Sequence, residues 1–96
     1  MKIRYTRRAR RDLESIFEYI AKQNPDAALR VRAAIRHAIE LVATQPHIGI
    51  KNAREPKLRS RLVSRYPYRV HYLLHDGEVW IIHIRHSARQ LWEGGP

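Results

Sequence analysis

The sequence predicts a small α+β domain of order β-α-α-β-β-β, in which an N-terminal helical hairpin packs on one face of a mostly antiparallel sheet. Three observations lead there. Two amphipathic stretches of helical period follow each other across a single break at Asn24-Pro25. Asp76-Gly77, the strongest short hairpin signal, joins two alternating apolar segments near the C-terminus. The 96 residues suffice for one domain, 1–96, and no internal repeat, low-complexity run or linker-like stretch divides them.

Taken in order, Lys2 to Tyr5 reads as a short strand with Ile3 and Tyr5 on one face. Thr6 then N-caps a helix from about Arg7 to Gln23. Ala9, Leu13, Ile16, Phe17 and Ile20 form its apolar stripe, and Glu18 and Lys22 sit four apart on the opposite side, in the favourable order for an ion pair. Asn24 caps a second helix, because Pro25 fits the first helical turn, where a missing N–H costs nothing. That helix runs to about Thr44 and buries Ala28, Val31, Ile35, Ala38 and Val42. So short a break makes the two helices an antiparallel hairpin. Pro46 and Gly49 end it and open an irregular basic loop through Pro56. Leu58 to Val63 alternates, with Leu58, Ser60 and Leu62 on one side and Arg59, Arg61 and Val63 on the other. Tyr68 to His75 and Glu78 to His86 are the two strands of the final hairpin.

Composition excludes several classes of function. No apolar run approaches the roughly 18 residues of a membrane span. The N-terminus MKIRYTRRARRDLE lacks the apolar stretch of a secretory signal, and the chain has no cysteine for disulfides, zinc ribbons or nucleophilic catalysis. The expected compartment is therefore the cytoplasm. Charge is the strongest compositional signal: 19 Lys+Arg against 9 Asp+Glu leave a net +10. Residues 1–24 hold Lys2, Arg4, Arg7, Arg8, Arg10, Arg11 and Lys22, and residues 51–65 hold Lys51, Arg54, Lys57, Arg59, Arg61 and Arg65. Such clusters suit a polyanionic partner, either nucleic acid or an acidic protein.

A two-residue turn at Asp76-Gly77 pairs His75 with Glu78, and the faces of the hairpin follow by counting. Tyr68, Val70, Tyr72 and Leu74 then lie opposite Arg85, His83, Ile81 and Val79, and this face is assigned to the helices. Arg69, His71 and Leu73 lie opposite Ile84, Ile82 and Trp80 on the other face, with His86 just beyond. Leu73, Trp80 and Ile82 thus form an apolar patch that one helical hairpin leaves uncovered, as a protein interface would. Strand 1 and a tail bearing Trp92 are the alternative cover. Six histidines invite a metal reading, but His83 and His86 point to opposite faces and His71 lies roughly 13 Å from His75 along the strand. Neither a metal nor any other cofactor is expected. An imidazole at His71 or His86 with Arg69 or Arg89 would suit metal-free cleavage of RNA, in which the 2′-hydroxyl attacks the adjacent phosphate. No P-loop, GxGxxG, HExxH or GxSxG occurs.

The stretches RRARRDLESIFEYIAKQNPDAALRV, ATQPHIG, RLVSRYPYRVHYLL and VWIIHIRHSARQLWEG resemble, in order and over nearly the whole chain, the RelE/ParE superfamily of type II toxins. The most specific parts are A-x-x-D-L-x-x-I-x-x-Y-I (Ala9 to Ile20), the Pro46 to Gly49 turn, Tyr68-Arg69-Val70-His71-Tyr72 and I-R-H-x-x-R (Ile84 to Arg89). The resemblance implies a RelE/ParE-like fold and a toxin encoded beside an antitoxin that wraps it and represses their shared promoter, so that operator DNA is met through the antitoxin. RelE-like members cut mRNA on the ribosome, and ParE-like members poison DNA gyrase. By resemblance Arg69 matches an arginine that contacts the scissile phosphate, and Arg89 falls where a second phosphate-stabilising arginine would lie. Ser60 and Leu62 stand where RelE has lysines, and the tail after His86 has no tyrosine to act as base.

The expected function is therefore a ParE-like toxin that binds gyrase without chemistry of its own. Arg59, Arg61 and Arg65 are its expected basic target-binding residues, and Leu73, Trp80, Ile82 and Trp92 its antitoxin-binding residues. The alternative is a RelE-like endoribonuclease acting on ribosome-bound mRNA through Arg69, His86 and Arg89. A third reading is a non-toxic nucleic-acid-binding module or a decayed toxin.

Overall fold

The structure, a computed structural model, describes residues 1–87. Its elements are β1 (Lys2–Tyr5), α1 (Arg7–Gln23), α2 (Pro25–Thr44), β2 (Ile50–Lys51), β3 (Leu58–Leu62), β4 (Tyr68–His75) and β5 (Glu78–His86). One five-stranded sheet has the order β1-β5-β4-β3-β2, with β1 parallel to β5 and every other pair antiparallel. The helical hairpin covers one face of it, as the sequence predicts. The short strand β2 lies within the segment expected to be irregular: Ile50 and Lys51 pair with Ser60 and Arg59 and so cover part of the β3 edge.

Both helix starts are set by their caps. The Thr6 hydroxyl accepts from the Ala9 N–H, and the Asn24 carboxamide oxygen from the Ala27 N–H, each at 3.0 Å. Asn24 also ends α1, where its N–H donates to the Ile20 carbonyl, so one residue makes the hairpin corner. Ala9 from α1 and Val31, Ile35, Ala38, Ile39 and Val42 from α2 meet Val70, Tyr72, Val79, Ile81 and Ile84 of the sheet in one core. Asp76 and Gly77 both have positive φ (51° and 73°), the signature of the type I′ turn that the Asp-Gly pair predicts.

The register of the last hairpin corrects the sequence-based faces. Near the turn the pairing is as counted: His75 with Glu78, Leu73 with Trp80 and Tyr72 with Ile81. A β-bulge then leaves Ile82 opposite no residue of β4, so His71 pairs with His83, Val70 with Ile84, Arg69 with Arg85 and Tyr68 with His86. Every residue of β5 beyond the bulge changes face. Ile84 enters the core at 4 % exposure, His83 leaves the helix side, and His86 joins it.

Candidate open-face site

The sheet face away from the helices is organised in cross-strand rows. Leu58, Leu73 and Trp80 form an apolar row, Ser60, His71 and His83 a row with two imidazoles, and Leu62, Arg69 and Arg85 a row with two guanidinium groups. At the turn end, Arg4 pairs with Glu78 at 3.1 Å. The face therefore runs from an apolar patch to a cationic end over the length of a few residues.

In the apolar row, Leu73 and Trp80 lie where the sequence places them, and the buried Trp80 Nε1 has no hydrogen-bond partner among the described residues. Ile82 belongs to the bulge and so stands outside their alternation. Trp92 lies outside the described residues, as does Arg89. In the middle row, the His71 and His83 rings stack with centroids 4.3 Å apart and planes 1° from parallel. In that arrangement the nitrogen lone pairs lie in two parallel planes and do not converge on a common point, the opposite of what a metal needs. No group of three potential metal-ligating side chains gathers among the described residues. Burial, with the neighbouring His71, Arg8 and Arg85 adding to it, pushes the His83 imidazole down to about 4, so it is neutral at physiological pH.

The cationic row has a clear electrostatic meaning. Arg69 and Arg85 stand directly across from each other, an arrangement of like charges that destabilises a sheet unless an anion or a polar group relieves it. Arg69 is relieved in part by donating from Nη1 to the Ser60 hydroxyl at 3.0 Å. Two forked guanidinium groups side by side are a receptor for a phosphate or a carboxylate. Arg85 joins this row only through the bulge, since strict alternation along β5 would place it on the opposite face from Arg69.

The remaining sequence candidates are dispersed. His86 lies on the helix side, edge-to-face with Tyr68 at 5.3 Å between centroids, and the sheet separates it from Arg69. Arg59 and Arg61 lie on the helix side of β3, where Arg59 Nη1 donates to the carbonyls of His47 (3.2 Å) and Gly49 (3.0 Å). That strap holds the loop after α2, a structural task. Arg65 is exposed in the β3–β4 turn at φ 73°. No helix among the described residues is long and apolar enough to cross a membrane.

Comparison with known proteins places this geometry among relatives. The family model described as the ParE toxin of the type II toxin-antitoxin system parDE matches residues 3–91. Toxin RelE2 of Caulobacter vibrioides is 38% identical over 85 residues, 88% of this chain and 93% of that protein. The Sinorhizobium fredii protein Y4kP is 37% identical over 89 residues, 93% of this chain and 91% of its own. Among solved structures, the chromosomal ParDE system of P. aeruginosa superposes with a TM-score of 0.71 at 22% identity, over 90% of this chain and 95% of that one. The E. coli RelBE toxin-antitoxin complex follows at 0.65 and 17%, covering 86% and 92%. The Mycobacterium tuberculosis RelBE2 complex gives 0.62 and 28%, covering 88% and 95%.

Proposed function

Because the chain belongs to the ParE toxin family of type II toxin-antitoxin systems, we propose that it arrests growth by binding DNA gyrase, and that its arginines are binding residues, not catalytic ones. The observation that carries this reading is the separation of the expected catalytic set. Arg69 and His86 lie on opposite faces of the sheet, and the side chains of β3 that share the face of Arg69 are Leu58, Ser60 and Leu62, none of them a cation or a proton carrier for catalysis. General acid-base catalysis needs a proton carrier within hydrogen-bond reach of the group it serves. The neutral, partly buried His83 is a weak base at physiological pH. A cationic row beside an apolar one, by contrast, suits a protein surface bearing carboxylates.

A cognate antitoxin is the second partner. An acidic segment with aliphatic anchors matches the open face, since it brings apolar side chains to Leu58, Leu73 and Trp80 and carboxylates to Arg69 and Arg85. A RelE-like ribonuclease is the second reading, favoured by one observation: Arg69, Arg85 and two imidazoles share a face. Pulse labelling of DNA and protein synthesis within minutes of induction separates the two. Early loss of DNA synthesis, with inhibition of gyrase supercoiling by the purified toxin, is expected. Early loss of translation, with cut transcripts and relief by Arg69→Ala, would overturn the gyrase reading in favour of the ribonuclease.

A further inference from the structure

A groove of about 630 Å³ lies between α1 and the far end of the β4–β5 hairpin. Arg8, Ser15 and Tyr19 reach it from one stripe of α1, and Tyr68, Arg85 and His86 border it from the strands. Tyr19 is 67% exposed on a helix whose apolar stripe is otherwise turned inward, so core packing does not account for it. Together with the edge-to-face Tyr68 and His86 it gives the groove three aromatic walls. The single lining carboxylate, Asp12, is engaged by the Ile84 N–H at 3.0 Å.

Charge connects this groove to the open face. Arg8 is close enough to His83 to help depress its protonation, and Arg85 both borders the groove and stands across from Arg69. Arg8 and Arg85 at the groove and Arg69 across from Arg85 thus link the groove to the cationic row. We propose that this track is a subsite for single-stranded nucleic acid, in which an unstacked base lies on the Tyr19 ring and its flanking phosphates meet Arg8 and Arg85. The chemistry selects that ligand. A flat exposed ring beside a basic groove is the device by which proteins bind single strands without sequence preference. A duplex hides its base faces, and an acidic peptide offers charge without a ring to stack.

The test uses the purified full chain and fluorescence anisotropy with labelled oligo-dT and oligo-U of roughly eight nucleotides, a length within the reach of such sites. A duplex and polyglutamate serve as competitors. Both single strands should bind, and more tightly than the duplex. A preference for oligo-U identifies RNA as the source, a preference for oligo-dT identifies DNA, and equal binding identifies the shared chemistry. Tyr19→Ala should weaken binding about tenfold, while Tyr19→Phe keeps it. Arg8→Gln should flatten the dependence of log affinity on log salt by about 0.7. Unchanged affinity in Tyr19→Ala, with the fold verified by an unaltered urea midpoint, would overturn the proposal. So would polyglutamate or duplex displacing the strand as well as unlabelled single strand does. The supercoiling assay involves none of these variants, so the gyrase reading and this one fail separately.

Discussion

Tyr72 shows how much one side chain organises. It is fully buried, yet its hydroxyl donates to the Pro46 carbonyl at 2.7 Å and accepts from the Gly49 N–H at 2.9 Å. A strand residue thereby fastens the turn that follows α2, which explains why Pro46 to Gly49 stands out as a motif. Tyr72→Phe leaves two backbone groups unpaired and should cost about 1–3 kcal/mol, read as a lower urea midpoint with the slope unchanged. A methyl group at Gly49 would stand 2.5 Å from that hydroxyl and 2.8 Å from the Ser60 carbonyl oxygen, so glycine is required there for room. His83 makes the second residue-scale prediction. Its folded pKa, about 4, lies below the ordinary 6.5, so as pH falls the unfolded chain takes up the proton first. The stability this contributes is complete above pH 6.5 and is lost progressively towards pH 4. Urea midpoints should fall across that window, and His83→Gln should flatten the fall; an equally steep decline in the variant would refute the assignment.

Strand β5 poses the element-scale problem. Its partner β1 pairs only from Glu78 to Ile81, and beyond that point the outer edge of β5 would be open. Helix α1 and its capping residue close it. The Thr6 N–H donates to the Ile81 carbonyl at 3.1 Å, the Thr6 hydroxyl to the Ile82 carbonyl at 2.7 Å, and Asp12 accepts from the Ile84 N–H at 3.0 Å. Asp12 therefore supports the bulged part of the strand, and the aspartate of the A-x-x-D-L motif has a structural task. Asp12→Ala should cost about 1.5–3 kcal/mol, the range for a bond to a charged group. It should also abolish hydrogen-exchange protection at the Ile84 amide, and a still-protected amide would refute this role. The bulge had one legible signal: strict alternation places His83 and Arg85 on the face assigned to the helices. Two polar residues on a core face, with Ile84 facing out, argue for an inserted residue. The unbroken apolar run of Trp80, Ile81 and Ile82 hid where the insertion falls.

For the whole molecule, the decisive quantity is uncompensated charge. A net +10 on 96 residues leaves a strong positive field, which would steer an acidic antitoxin of the kind proposed above before any contact forms. Raising salt from about 0.1 to 0.5 M should therefore slow toxin–antitoxin association at least tenfold while changing dissociation little, since a Debye length of roughly 10 Å falls to less than half. Stopped-flow mixing measures both rates; a salt-independent association rate would show that the field has no part in recognition. An antitoxin that binds only the folded toxin should also raise the toxin's melting temperature in a concentration-dependent way. The stabilisation amounts to about 4 kcal/mol once free antitoxin exceeds its dissociation constant a thousandfold.

The parallel pairing of β1 with β5 joins the two ends of the chain. By contrast, the helical hairpin and the Asp-Gly turn are determined locally, by caps, by apolar period and by residues suited to positive φ, and all of these are written in short stretches of chain. So is the charge, and with it the demand for anionic partners. The site is a different matter. Arg85 faces Arg69, His83 stacks on His71, and His86 lies behind the sheet because one residue is inserted at Ile82. That insertion persists because Asp12 and Thr6, some seventy residues away in sequence, satisfy the strand edge it disturbs. A one-residue shift reverses every side chain beyond it. The identities of the site residues therefore belonged to the sequence, and the face on which each one acts belonged to the tertiary structure.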